Sequence, residues 1–290
     1  MILLSVATSA GPRLAIKTGA GIVVLEKVAG KDPALPLTLE DAVLFSGGLD
    51  RVRDFVNRNA AKLSTLATPE DGVKLDTLFR PRNVICIGLN YKDHAAEGGV
   101  PLPEKPVVFV KLNGCIVGPN APVVIPPETQ QVDYEAELAV VIGQRCRAVS
   151  QADALKYVAG YTCLNDISAR DFQFSDNQWV RSKSQDTFGP MGPYLVTTED
   201  IPDPQNLSVR CWVNGQLLQD SNTDKMIFGV RYLIEFLSRG ITLEPGDVIS
   251  TGTPHGVGFA RKPPIFLKAG DEVIVEVGKI GKLSNRVTAA

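Results

Sequence analysis

From Leu75 onward the chain is a series of short apolar and β-branched runs separated by glycine and proline. The runs are Val84 to Gly88, Val107 to Val110, Val123 to Ile125, Glu135 to Ile142, Tyr194 to Thr197, Val209 to Val213, Asp247 to Thr251 and Glu272 to Val277. Strands of this length, punctuated this way, imply a large and mostly antiparallel β domain over residues 75–290. Val213-Asn214-Gly215-Gln216 is a hairpin signal, because Asn-Gly suits a type I′ turn. Helices are few. The clearest is Gly229 to Arg239, with Val230, Leu233, Ile234 and Leu237 on one face and Gly240 as its cap. Residues 1–72 read as a small α+β module. Short strands (Ile2 to Val6, Leu14 to Thr18, Ile22 to Val28) precede one helix beginning near Thr38 and another over Asp50 to Leu63, and Thr68-Pro69-Glu70-Asp71-Gly72 ends the pattern. The expected fold class is α+β, mainly β.

One strand carries charge where a core strand should not. In Asp133-Tyr134-Glu135-Ala136-Glu137-Leu138-Ala139-Val140-Val141-Ile142 the second half is apolar, and alternation puts Glu135 and Glu137 on one face. Asp133 joins them if the extended conformation starts early. Two neighbouring carboxylates in a half-buried sheet repel each other, and burial disfavours their charged forms. Protons or a cation must neutralise them, and a hard divalent ion such as Mg²⁺ would do so at neutral pH. An edge strand showing its carboxylates to water would carry the same pattern.

Composition excludes several classes. The 290 residues are 44% hydrophobic and 21% charged, with a formal net charge of -2 and an isoelectric point near 5.8. No basic run suits a nucleic-acid backbone. No apolar run approaches the roughly 20 residues that span a bilayer. Met1 to Ala7 lacks a basic region and reads as a first strand rather than a signal peptide. The five cysteines contain no CxxC pair, which points to a reducing compartment and a cytoplasmic protein, a processed mitochondrial form being compatible. With only His94 and His255, a histidine-rich zinc site is excluded, and no GxSxG elbow supports a serine triad.

Four further segments offer chemistry. Asp166 follows the apolar run Tyr157 to Leu164, at a strand end, as either a helix cap or a third metal carboxylate. In Asn90-Tyr91-Lys92-Asp93-His94-Ala95-Ala96-Glu97, a short helix would set His94 beside Glu97 at i, i+3. Such a pair can take a proton from water, although a surface histidine on a polar helix reads the same way. Gly98-Gly99-Val100-Pro101 after it reads as a hinge, making the helix a candidate lid. Arg181 to Pro193 reads as a shaped loop whose Lys183 would neutralise an enolate or carboxylate oxygen, or simply be solvated. Gly246 to Gly258 is a strand ending in a glycine-rich turn, where Thr253 and backbone N–H groups would hold a carboxylate or form a plain turn. His255 has no evident partner in the sequence.

In this order the segments resemble the fumarylacetoacetate hydrolase family. The resemblance runs from about Arg82 to Val287. It rests on Gly88-Leu89-Asn90-Tyr91 with His94 and Glu97, Asp133 to Leu138, Asn165 to Asp171, Lys183 to Pro193, Thr251-Gly252-Thr253-Pro254 and Leu283-Ser284-Asn285. It implies a mixed β-sandwich roll, a homodimer and one Mg²⁺ or Mn²⁺ per subunit on Glu135, Glu137 and Asp166. It also implies that His94 and Glu97 sit on a lid and that Lys183 holds substrate. The chain is similar to the shorter-lid subgroup of acylpyruvate hydrolases, oxaloacetate decarboxylases and oxaloacetate tautomerases. The histidine of fumarylacetoacetate hydrolase proper lies further beyond the Tyr-x-Asp motif than His94 does, which argues against that substrate.

These residues suggest first a hydrolase that cleaves a C–C bond in 2,4-dioxo acids. The C1 carboxylate and C2 oxygen would be chelated, Glu97 and His94 would activate a water, and a pyruvate enolate would be held beside Lys183. Arg170 and Thr253 would bind carboxylate oxygens, or Arg170 would be structural. Oxaloacetate decarboxylation, or keto–enol isomerisation of oxaloacetate or a 2-hydroxy-diene dioate, uses the same residues. A 2-oxo acid binding protein without turnover is the alternative of another class.

Overall fold

In the computed structural model, which describes residues 1–30, 32–99 and 101–290, the run Ala136–Ile142 is the centre of the molecule. Every residue of this strand is buried. Its alternate faces feed two cores: Ala136, Leu138, Val140 and Ile142 pack in one, Ala139 and Val141 in the other. A strand buried on both faces must be nearly all apolar, and this one is, apart from Glu137.

Around it lies a ten-stranded mixed sheet. Ala136–Ile142 pairs antiparallel with Val158–Asn165, in the register Glu137↔Leu164, and with Val248–Ser250, in the register Ala139↔Ser250. Val248–Ser250 pairs parallel with Val84–Gly88, and Val107–Lys111 ends that side of the sheet. On the other side, Gly189–Thr197 joins the N-terminal strands Ile2–Thr8, Gly11–Thr18 and Gly21–Val24 in the same hydrogen-bonded sheet. A five-stranded sheet (Gln216–Asn222, Ser208–Val213, Glu272–Val277, Gly281–Ala289, Val123–Ile125) supplies Val209, Val275 and Leu283 to the first core. The helices Leu39–Leu44 and Gly48–Arg58 cover the second core with Val43, Val52 and Phe55. The result is the mainly β, α+β sandwich expected from the sequence.

Local chemistry explains most element ends. Thr38 caps Leu39–Leu44 by accepting from the Asp41 N–H. Asn214 and Gly215 take φ of 50° and 79°, as a type I′ turn requires. Four expectations need correction. The third strand stops at Val24, and Leu25–Ala29 is helical. The pattern Asp50 to Leu63 is two helices, because Asn59 leaves the helical region between Gly48–Arg58 and Ala60–Thr65. The Arg181 to Pro193 segment is not one loop: Val180–Lys183 is helical, and the strand Gly189–Thr197 begins within it. The helix near the C-terminal half spans Val230–Ser238 with Arg239, not Gly240, at its cap.

Candidate metal and enolate site

Hydrogen bonding between strand ends builds the acidic floor. The Asp166 N–H donates to the Glu135 carbonyl at 2.9 Å, and the Asn165 side chain accepts from the Glu135 N–H at 3.0 Å. These bonds tie the end of Val158–Asn165 to the start of Ala136–Ile142. Glu135, Glu137 and Asp166 are 5%, 2% and 0% exposed. One carboxylate oxygen from each lies within 4.8 Å of the other two. Three buried carboxylate oxygens gathered this closely are the donor type that a Mg²⁺ or Mn²⁺ ion takes from a protein, with further positions left for water or substrate.

Two lysines and an arginine surround the floor. Lys183 Nζ lies 2.8 Å from Glu135 Oε2 and 2.9 Å from Asp166 Oδ2. Lys111 Nζ lies 2.6 Å from Asp166 Oδ1 and 3.2 Å from the Ile167 carbonyl. Arg170 Nη2 is 2.6 Å from Glu135 Oε1, but not along an N–H direction, so this is a charge contact that leaves the Nη2 protons without a hydrogen bond. Asp133 does not join the metal group. It takes Arg170 Nε on one oxygen at 2.9 Å and the Gly258 and Phe259 N–H groups at 2.7 and 3.0 Å, fixing the guanidinium. Glycine is needed at 258, since a Cβ there would meet Asp133 and the Ile265 carbonyl.

The electrostatics separate the two glutamates. Burial pushes both carboxyls up. For Glu135, Lys183 and Arg170 overcome burial and hold the group down at about 2. For Glu137, burial is reinforced by Asp166 and Glu135, and its carboxyl lies well above the usual range. Its partners, the Ser250 hydroxyl and the Gly252 N–H, do not offset this. Lys183 is held charged against burial by Asp166 and Glu135. With Arg170 offset by Asp133, the three floor carboxylates, once Glu137 is also ionised, exceed Lys111 and Lys183 by one negative charge. A divalent cation would reverse that sign, and the site would then suit an anionic substrate.

The candidate lid closes the other side. Val84–Gly88 ends at Leu89, whose φ of 52° turns the chain back. The Asn90 side chain then bonds the Thr251 and Phe228 carbonyls at 2.8 and 3.0 Å. Gly252, at φ 96°, leaves room for Asn90 where a Cβ would not. The helix Lys92–Glu97 follows. His94 Nδ1 lies 3.2 Å from Glu97 Oε2, and Glu97 Oε1 accepts from the Gly256 N–H at 2.9 Å. Burial opposes ionisation of Glu97, but His94 and the Gly256 N–H outweigh it and keep the carboxyl below its ordinary value. Of the proposed hinge, Gly99 has φ 63°, and Val100 lies outside the described residues.

A cavity of about 160 Å³ separates lid and floor, lined by His94, Glu135, Glu137, Arg170, Lys183 and Thr253 among others. Its outer wall is aromatic: Phe109 meets Trp179 edge-on at 5.2 Å, and Phe174 meets Phe259 at 5.6 Å. A larger cleft of about 700 Å³ near Ile125 and Ala290 has no acidic side chain in its walls. The structure thus brings His94, Glu135, Glu137, Arg170, Lys183 and Thr253 to one cavity, with Asp166 beneath and Glu97 behind His94. Thr253 is already engaged: its hydroxyl donates to the Ala136 carbonyl at 3.0 Å and accepts from Gln219 at 2.8 Å.

Sequence reasoning missed Lys111, Gln219, the aromatic wall and the partner of His255. Lys111 had a signal, since it shares the inward phase of Val107 and Phe109 on its strand. His255 pairs with Asp93, Nδ1 to Oδ2 at 3.0 Å, through a contact 162 residues apart that no local pattern shows.

The family model described as fumarylacetoacetate (FAA) hydrolase C-terminal matches residues 83–288. The chain is 44% identical to "Oxaloacetate tautomerase FAHD2B, mitochondrial" of Bos taurus over 280 residues, covering 96% of this chain and 88% of the relative. Among solved structures, the fumarylacetoacetate hydrolase of Exiguobacterium antarcticum superposes with a TM-score of 0.82 at 34% identity, covering 100% of both chains. The maleylpyruvate hydrolase of Sphingobium sp. SYK-6, in complex with manganese (II) ion and pyruvate, gives 0.81 at 30% identity with the same coverage. The chain belongs to the fumarylacetoacetate hydrolase family.

Proposed function

We propose that the chain interconverts the keto and enol forms of a small 2-oxo dicarboxylic acid, oxaloacetate first, in a divalent-metal-dependent reaction. The carrying observation is the floor of three buried carboxylates with Lys183 bonded to two of them. A Mg²⁺ or Mn²⁺ ion on Glu135, Glu137 and Asp166 would supply Lewis-acid polarisation of the 2-oxo group. Relatives named oxaloacetate tautomerases at 44% identity over nearly the whole chain support the choice of substrate. So does the cavity, whose 160 Å³ is below the usual 300–1,000 Å³ of ligand pockets and suits a four-carbon acid.

The protein's own groups divide the work. Lys183 places positive charge where the 2-oxo oxygen gains electron density. Arg170, clamped by Asp133, adds charge without being free to swing. The Glu97 carboxylate selects the His94 tautomer with its proton on Nδ1, leaving Nε2 as the basic nitrogen. In the keto-to-enol direction His94 takes the proton from C3. The C3–H electrons form the C2=C3 bond, the carbonyl π electrons move to O2, and the imidazolium of His94 gives the same proton back at O2, which leaves His94 neutral for the next turnover. The reverse path ketonises the enol. Phe109, Trp179, Phe174 and Phe259 limit water at the cavity mouth.

The hydrolytic reading of the sequence keeps these groups and has His94 take its proton from a water that attacks C4, so that the C3–C4 bond breaks and leaves pyruvate enolate. The manganese and pyruvate named for the Sphingobium structure support it. A panel of oxaloacetate, acetylpyruvate and maleylpyruvate with Mg²⁺, following enol absorbance, pyruvate and CO₂, separates the readings. Enol loss from oxaloacetate without pyruvate supports tautomerisation. Stoichiometric pyruvate from an acylpyruvate at a higher kcat/KM replaces it with hydrolysis.

The same reading includes a homodimer. Val107–Lys111 is an edge of the large sheet, and Val108, Val110 and Leu112 are 40–58% exposed beside it. A second copy would cover this apolar edge, and sedimentation equilibrium gives the mass directly. Among the described residues no helix is long and apolar enough to cross a membrane.

A further inference from the structure

The lid helix is too short to hold itself in place. Six residues make fewer than two turns, well below what is stable alone in water. Its position over the cavity therefore comes from contacts with the rest of the protein. Asn90 fixes the chain entering the helix. The helix itself is held through Asp93 and Glu97, which lie i, i+4 on one face.

Asp93 is the more heavily bonded of the two, and nothing in the chemistry above uses it. Its Oδ2 accepts from the Ser221 hydroxyl at 2.6 Å and lies 3.0 Å from His255 Nδ1. Its Oδ1 accepts from the His255 N–H at 3.4 Å. These partners sit on two separate elements, the strand Gln216–Asn222 and the turn after Val248–Ser250. One residue along that turn, the Gly256 N–H holds Glu97, whose other oxygen orients His94. The His255 turn thus grips the lid at two points, and one of them sets the imidazole.

We infer that Asp93 and His255 form a latch, a pair of positioning residues that hold the lid helix closed and keep His94 aligned without touching substrate. The inference rests on the reading of His94 and Glu97 as the acid–base pair. Burial opposes ionisation of Asp93, but Ser221 and His255 outweigh it and keep the carboxylate charged, as an acceptor of three donors should be. The pair is partly exposed, 44% for the His255 side chain and 25% for Asp93, so its bonds are of modest strength. That suits a contact which must open to admit substrate.

A latch acts on the closed population rather than on the bond-making step. Weakening it lowers the fraction of binding-competent enzyme and raises apparent dissociation constants in proportion. The test uses the Mg²⁺-loaded full chain, with oxalate as a non-reacting 2-oxo acid mimic. His255→Ala should raise KM for oxaloacetate and the oxalate Kd about two- to fivefold, the effect of one modest hydrogen-bonded pair. Its kcat should stay within about twofold, and the amides of residues 92–97 should exchange faster by a similar factor. His255→Gln, which keeps a donor near Asp93, should recover most of the loss. Unchanged oxalate affinity and unchanged exchange in His255→Ala overturn the latch. So does a collapse of kcat at unchanged oxalate Kd, which would place His255 in the chemistry. If wild type turns over no oxaloacetate while oxalate binding and exchange respond as stated, the latch stands and the functional reading fails.

Discussion

Lys111 Nζ lies 2.6 Å from Asp166 Oδ1, with both side chains fully buried. Lys183 takes the other Asp166 oxygen, so the carboxylate is held by two ammonium groups from different elements. Removing one partner of a buried ion pair typically destabilises by about 3–5 kcal/mol, because the remaining charge is stranded. Lys111→Met should therefore lower the free energy of urea unfolding in EDTA by an amount of that order, read from the shift of the midpoint at unchanged slope. Mg²⁺ should recover part of the loss by supplying positive charge to Asp166. Equal losses with and without Mg²⁺ would show that Lys111 is not coupled to the floor.

Glu137 should behave in the opposite sense. Its carboxyl is pushed up by burial, Asp166 and Glu135. A carboxyl with a raised folded value binds its proton more tightly folded than unfolded, so it withdraws stability as pH rises past about 4. Glu137→Gln removes that penalty. At pH 7 in EDTA the variant should melt higher than wild type, by about 2–4 °C for each kcal/mol relieved. It should also lose the Mg²⁺-induced rise in Tm. A lower Tm in EDTA would mean that the Ser250 and Gly252 bonds outweigh the repulsion.

His94→Ala tests the acid–base step without disturbing the floor. The expected result is a fall in kcat of about 10²–10⁴, with the Mg²⁺-induced shift in Tm retained. A near-normal rate removes the dyad from the reaction.

Acid should release the lid before it unfolds the protein. Asp93 and Glu97 both sit below their ordinary values, Asp93 through Ser221 and His255, Glu97 through His94 and the Gly256 N–H, each against burial. A depressed carboxyl contributes stability that is whole above its unfolded value of about 4 and is lost as pH falls through the folded value. Amide exchange of residues 92–97, corrected for intrinsic rates, should quicken between pH 5 and pH 3, both approximate limits set by those values. Near-UV circular dichroism should still be native over that range. Protection lost only together with the native spectrum would contradict this.

The sequence revealed the strands better than their partners. Ala136–Ile142, Val84–Gly88 and Glu272–Val277 were legible because β-branched runs and turn residues act locally. The helix break at Asn59 was not, because apolar periodicity continues through it. At the site, Glu135, Glu137 and Asp166 stood out as charge in an apolar context. Lys111 was hidden by a strand that otherwise looked ordinary, and its meaning depends on Asp166, 55 residues away. Asp133 shows the converse: beside the acidic pair in sequence, it is drawn by the Gly258 and Phe259 N–H groups to hold Arg170 instead.

The most direct test of the metal-and-enolate account follows the enol absorbance of oxaloacetate in a stopped flow. Protein stripped with EDTA should leave the decay at its spontaneous rate. Adding Mg²⁺ or Mn²⁺ should accelerate it in wild type, and leave Asp166→Asn and Glu135→Gln near the spontaneous rate. Equal acceleration by metal-free wild type, or undiminished metal-dependent rates in both variants, would contradict the account.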